Sequence, residues 1–297
     1  VTVISKRSIT LLLVIVASVF VLVGCGRTQA SVDMPHIHGL GFSPDGRQLI
    51  VPAHDGLRLF AEGEWSVPDG PAHDYMGYTP VDEGFYSSGH PHPPSGLANP
   101  FGLVKSTDGG ETLEGLGFEG ESDFHLMGVG YENHAIYVLN PAPNSRLAAG
   151  MHVSLDDGQT WQPCAAQGLT ARPFQIAVHP TAANRVAVAT EAGLVLSTDY
   201  GDSFTRIGQA APVTAVAFHP GGQALLFGAS QLSVYNLASE QTTAVPSPNI
   251  AGDDAIGYIA VNPVQNEEIA LATFNRDIYL SSDGGQTWQQ IAEDGKG

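Results

Sequence analysis

Basic side chains are scarce in this chain. It has 12 Lys and Arg against 30 Asp and Glu in 297 residues, a formal charge of −18. No basic stripe exists to neutralise phosphates, which excludes a nucleic-acid partner. Cysteine is nearly absent, and two copies cannot build a disulfide-stapled scaffold. Charged residues of both signs make up only 14%, against roughly 25% in an ordinary soluble domain. There is no Gly-x-Ser-x-Gly elbow and no phosphate-cradling loop. What is abundant is turn chemistry, with 35 Gly and 20 Pro, alongside a 43% hydrophobic content that is enough for a core. The length suits one large β or α/β domain.

Lys6 and Arg7 precede an apolar run over 9–23. That run is shorter than the roughly 20 residues a bilayer span needs, and it reads as a secretory signal. It ends in Leu22-Val23-Gly24-Cys25, which resembles the lipobox of bacterial lipoproteins. The resemblance implies a signal peptide over 1–24, a lipidated Cys25 with its tether over 25–35, and a body over 36–297 held at a membrane. That body would face the periplasm or the cell exterior. Each buried lipid CH₂ contributes about 0.8 kcal/mol to such anchoring. Cys164 then stands alone, as a small buried apolar residue rather than a reactive thiol.

Four segments of the body align without gaps. They begin at Ser106, Ser154, Ser197 and Ser281 and follow the pattern Ser-x-Asp-x-Gly-x-Thr/Ser-aromatic or Leu. Their Asp residues, Asp108, Asp156, Asp199 and Asp283, are separated by 48, 43 and 84 residues. The last interval is a doubled one, so one unit has lost its motif. A second marker agrees: Phe42-Ser-Pro44, Val178-His-Pro180, Phe218-His-Pro220 and Val261-Asn-Pro263 each close a short apolar alternating run. Units of about 43 residues with several short strands each predict an all-β fold, a six-bladed β-propeller with four-stranded blades. The predicted blades run over 36–67, 74–117, 123–165, 172–209, 211–247 and 253–292, the first and fifth without a full motif.

The eight-residue pattern resembles the Asp-box, or BNR repeat, of sialidase-like propellers, sortilin-like receptors and photosystem assembly factors. The resemblance implies that the motif sits between the third and fourth strands of a blade, where it folds the turn and takes no part in chemistry. The chemistry of the residues agrees with a structural role. Asp accepts backbone N–H bonds in a tight turn and Gly supplies a left-handed conformation.

The 11 histidines are unevenly placed, six of them between residues 36 and 92. Aligning the first strands puts His38 level with His125. Aligning the second strands puts His54 level with His90. Antiparallel neighbours bring the start of the first strand beside the end of the second. His38, His54, His90 and His125 are therefore expected on one rim, opposite the Asp-box turns. His36, His73, Asp74 and His92 lie in adjoining loops as auxiliary ligands, with Asp55 a further candidate. Imidazoles converging from separate strands suit a Cu or Zn ion, and Met34 or Met76 would favour copper on reaching the site. His179 and His219 read as turn punctuation, and His134 falls on the opposite face.

The sialidase resemblance carries an expectation of its own, a glycosyl hydrolase with an arginine triad. The Arg residues here do not recur at equivalent blade positions, and no Arg-Ile-Pro element is present. The sequence thus leaves enzyme activity open, with the balance against it. Its first functional reading is a membrane-anchored, extracytoplasmic propeller that binds a transition metal or a metal-bearing partner through the His-rich rim. The alternatives are a metal-free scaffold for an extracytoplasmic protein partner and, third, a divergent sialidase-like glycosyl hydrolase.

Overall fold

The computed structural model describes residues 31–297; the expected leader over 1–24 and the expected lipid attachment at Cys25 lie outside the described residues. The described chain folds into six sheets, each of four antiparallel strands taken in sequence order. They span 41–66, 74–117, 127–163, 173–207, 215–244 and 256–292. The first strand of every sheet packs against the first strands of the two neighbouring sheets, so the six form a closed ring around an axis. This is the predicted six-bladed propeller. Among the described residues the only helical element is a single 3-10 turn, Pro93–Ser95, and no helix is long and apolar enough to cross a membrane.

Burial falls from the axis outward, and the sequence shows why. The second strands Leu49–Ala53, Val186–Thr190 and Ile269–Thr273 are buried at every position. Their side chains pack against a neighbouring blade on both faces, so they are continuous apolar runs rather than alternating ones. Outer strands such as Gln241–Ala244 are exposed throughout and correspondingly polar.

Each Asp-box folds the turn between the third and fourth strands of its blade, as the resemblance implies. In the second blade Ser106 Oγ donates to Asp108 Oδ1 at 2.9 Å and accepts the Gly110 N–H at 2.9 Å. Asp108 also accepts the Thr112 N–H at 2.9 Å and the Thr112 hydroxyl at 2.6 Å. The pattern recurs at Asp156, Asp199 and Asp283. The Gly of each box is left-handed, with φ between 76° and 94°, a region that costs glycine little. The last residue of each box reaches back to the preceding blade. Leu113, Trp161, Phe204 and Trp288 pack there, and the Trp288 indole N–H donates to the Pro246 carbonyl at 2.8 Å. The two blades without the motif use other turns. The first has a two-residue hairpin with Glu62 and Gly63 both left-handed. The fifth has an Asn236 side chain that accepts the Ala238 and Ser239 N–H groups.

Among the described residues every blade takes its four strands from one contiguous segment. Closure uses a short antiparallel pairing of the first described residues with the last. Val32 and Gly297 exchange N–H···O bonds at 3.0 Å, and the Met34 N–H donates to Gly295 at 2.7 Å. The Trp65 indole N–H donates to the Ile291 carbonyl at 2.7 Å across the same joint.

The box carboxylates accept so many bonds that Asp108, Asp199 and Asp283 are pulled down to about 2, through bonds from Thr112, Ser203 and Thr287 respectively. The folded state therefore binds fewer protons than the unfolded state. This stabilisation is complete above the ordinary value of 3.8 and is lost as pH falls towards 2. The urea midpoint is expected to drop between about pH 4 and pH 2, and Asp283→Asn is expected to flatten that drop.

Candidate metal site on the propeller rim

The rim opposite the Asp-boxes collects side chains from three blades. In the first blade the inner strand Gly41–Phe42 is preceded by His36-Ile37-His38. The ladder continues there: Ile37 bridges Ala53, the His38 N–H donates to Pro52 at 2.9 Å, and the His54 N–H donates to His36 at 3.2 Å. A period of two then turns His36 and His38 to the same side, next to His54. In the second blade Asp74 opens the inner strand Asp74–Val81 and stands opposite His90, the last residue of Gly84–His90. In the third blade Asp123-Phe124-His125 precedes the inner strand Met127–Val129.

That third segment is held by two features of the second blade. Buried Ser88 accepts the Phe124 N–H at 2.9 Å and donates to the Gly102 carbonyl at 2.6 Å. Gly77 is left-handed with φ 54°, and a Cβ there would lie 2.3 Å from the Phe124 carbonyl oxygen. The close approach of the Asp123–His125 segment therefore requires glycine at 77.

The histidines divide into two groups, each gathered on one carboxylate. Asp74 Oδ2 lies 2.8 Å from His54 Nδ1, and Asp74 Oδ1 lies 3.4 Å from His38 Nε2. Ligand atoms of His38, His54 and Asp74 all fall within 4.8 Å of one another. The His36 ring stacks 6.2 Å from that of His38 and sits edge-on 5.9 Å from that of His54. Asp74 forms the buried floor, with its side chain 8% exposed, and His54 the open mouth at 61%. The 3.4 Å contact is not a hydrogen bond: among the described residues His38 Nε2 and Asp74 Oδ1 are both buried without a hydrogen-bond partner. Each such group costs about 1–3 kcal/mol unless something binds it. Burial pushes the His38 imidazole below its ordinary range, and the Asp74 charge opposes this only in part. A ring kept unprotonated is a ring able to ligate.

In the second group Asp123 Oδ2 lies 2.6 Å from His125 Nε2 and 3.1 Å from His90 Nε2. The His125–Asp123 hydrogen bond outweighs burial and raises the His125 pKa. Asp74 adds to that rise, and His125 in turn depresses His38, so the two groups are electrostatic neighbours.

Other residues singled out in the sequence lie elsewhere. His73 is a packing residue, 2% exposed. Its ring meets Tyr75 and Phe101 edge-on, and its Nδ1 accepts the His92 N–H at 2.9 Å. Neither His73 nor His92 joins the ligand group. Asp55 is taken up by Arg58 at 2.6 Å. Met34 is buried in the joint between the first and last blades, which removes one of the two thioethers that would favour copper. His179 and His219 do fold turns, each accepting backbone N–H groups at Nδ1. His134 bonds Asp82 at 2.7 Å and Tyr86 at 3.2 Å. Asp123 is the rim carboxylate that the sequence reading did not place beside the histidines. Its signal was present: Asp123-Phe-His125 has the same period-two spacing as His36-Ile-His38.

A family model for the BNR/Asp-box repeat matches residues 279–290. This chain is a β-propeller built with Asp-box repeats. No curated protein matches it in sequence. Similar solved structures include a GH74 enzyme from Niastella koreensis at 16% identity and TM-score 0.58, covering 88% of this chain and 46% of that one. A GH74 xyloglucanase from Xanthomonas campestris aligns at 20% identity and TM-score 0.53, covering 89% and 46%. YCF48 bound to D1 peptide aligns at 16% identity and TM-score 0.50, covering 88% and 83%. The Asp-box chain thus spans about half the length of the GH74 structures. At these identities the likeness shows the shared fold alone.

Gly77→Ala tests how the rim is assembled. A left-handed non-glycine residue costs about 1–3 kcal/mol, and the clash with Phe124 adds to it. Urea unfolding is expected to show at least that loss, with the His125 imidazole NMR signals displaced from their wild-type positions.

Proposed function

We propose that this protein is an exported, lipid-anchored propeller whose rim binds a divalent transition-metal ion through His38, His54 and Asp74. The observation that carries this reading is the pair of buried, unpartnered atoms His38 Nε2 and Asp74 Oδ1, 3.4 Å apart with His54 Nδ1 beside them. Two imidazoles and a carboxylate form a donor set suited to Zn, Cu, Fe or Ni. Asp74 supplies negative charge from the floor, while the exposed edge of His54 leaves the ion reachable by a ligand from solvent. The bound ion would supply a Lewis-acidic centre for an anionic or metal-bearing partner. His36, stacked on His38, holds that ring in place. The lipobox-like Leu22-Val23-Gly24-Cys25 supports a position at a membrane, outside the cytoplasm.

A metal-free docking platform is the second reading. It is favoured by the likeness to YCF48, solved with a bound peptide, and by the exposed Leu97 and Phe274 in loops after second strands, on the side of the histidines. Hydrolysis of glycosides comes third, since the GH74 likeness is one of fold.

The test is elemental analysis of the full chain, purified without a His tag and dialysed after exposure to Zn²⁺ or Cu²⁺. Stoichiometric metal in the wild type, reduced in a His38→Ala/His54→Ala variant of unchanged circular dichroism, is the expected result. An unchanged metal content in that variant would overturn the assignment. Ligation requires unprotonated imidazole and burial holds His38 below its ordinary range, so the metal is expected to be held at neutral pH and released only as pH falls below the ordinary imidazole range.

A further inference from the structure

We infer that the axial cavity of the propeller is a binding site of its own, for a small uncharged organic molecule with an apolar body and one hydrogen-bond-accepting oxygen. The inference is independent of the histidine rim. The cavity has a volume of about 150 Å³ and is walled by the inner strands of all six blades. Its cause is a register position that repeats. Gly41, Thr79, Gly128, Ala177, Ala217 and Ala260 occupy the same level of the inner strand in successive blades, each paired with the second strand of its own blade. All six line the cavity. Small side chains at one level in every blade keep the six strands from closing on the axis there.

None of the lining side chains is charged, and the polar ones are Tyr78, Thr79, Tyr131 and Gln175. An apolar cavity of this size takes up molecules such as benzene. An ion would lose its hydration there with no counter-charge to replace it, which selects against charged ligands. One group supplies direction. Gln175 reaches from the fourth blade to the fifth, where its Oε1 accepts the Val216 N–H at 2.9 Å. A backbone N–H needs the amide oxygen, so this bond fixes the amide and leaves Nε2 as the free end. Nε2 makes no hydrogen bond among the described residues, and its two donors suit a carbonyl oxygen. The Thr79 hydroxyl is turned instead to the Gly77 carbonyl at 3.4 Å. The inner strands run from the histidine rim to the Asp-box face. Tyr131, Pro220 and Pro263 each stand two residues past the end of one, half-buried, and ring the cavity on that face. A ligand would therefore enter from the side opposite the histidines.

The experiment is an NMR titration of the full chain with cyclohexanone, with cyclohexylammonium and cyclohexanecarboxylate as charged counterparts of the same ring. Cyclohexanone is expected to bind saturably and to shift the Gln175 side-chain amide signals, with both charged analogues weaker by about tenfold or more. Gln175→Met keeps the length and removes the donors, and is expected to weaken binding about three- to tenfold. Ala177→Phe fills the cavity and is expected to abolish binding. Should Ala177→Phe fail to fold, Ala217→Val makes the same test with less bulk and is expected to weaken binding. Cyclohexanone affinity unchanged in the filled variants, equal affinity for the charged analogues, or no saturable binding would each overturn the site. Unchanged affinity in Gln175→Met would overturn the oxygen-bearing ligand class. The rim histidines are intact in every variant, so each result bears on the cavity alone.

Discussion

Six sheets can surround an axis only if the sixth meets the first, and that joint sets the terms for the rest of the molecule. Propeller closure by strand exchange would tie the two chain ends into one sheet. Here all four strands of every blade come from one contiguous segment. The joint is carried by backbone bonds between 32–34 and 295–297, by the Trp65 indole on Ile291, and by Asn262 donating to the Gly46 carbonyl at 2.8 Å. Arg276 adds a bond to the Pro35 carbonyl at 3.0 Å. The residue after Pro35 is His36, so the segment that closes the ring is also the one that delivers the first two histidines to the rim. Structure and candidate chemistry meet in the same few residues.

The fold was legible because it repeats. Each Asp-box carries its own turn within eight residues, so Ser, Asp, Gly and Thr recur at fixed offsets whatever surrounds them. The doubled interval before Asp283 located the fifth blade without its motif, and the structure fills that interval with an Asn236 turn. Ring closure was not legible. It depends on residues far apart in sequence, Val32 and Gly297, that carry no pattern of their own.

At the rim, strand register brought the right histidines to one face but could not say how they group. Grouping depends on which carboxylate each ring reaches. Asp74 was read as a loop residue, yet it opens an inner strand and lies opposite His90, while its oxygens serve His38 and His54 of the blade before. Asp123 performs the same task one blade further on. A carboxylate from one blade thus faces an imidazole from the previous blade in both cases. Adjacent blades are related by the same rotation, so the arrangement repeats, but nothing in local spacing records it. His73 misled for the converse reason: its neighbours in sequence suggest the rim, while its ring completes an aromatic cluster with Tyr75 and Phe101.

A metal ion held by the buried, unpartnered atoms of the rim would be directly visible. The most direct measurement is a crystal structure of the chain grown with Zn²⁺, with anomalous differences recorded at the zinc edge. An anomalous peak bonded to His38 Nε2, His54 Nδ1 and Asp74 is expected, with separations of about 2.0–2.2 Å. No peak there, with His38 Nε2 and Asp74 instead bonded to ordered water, would contradict it.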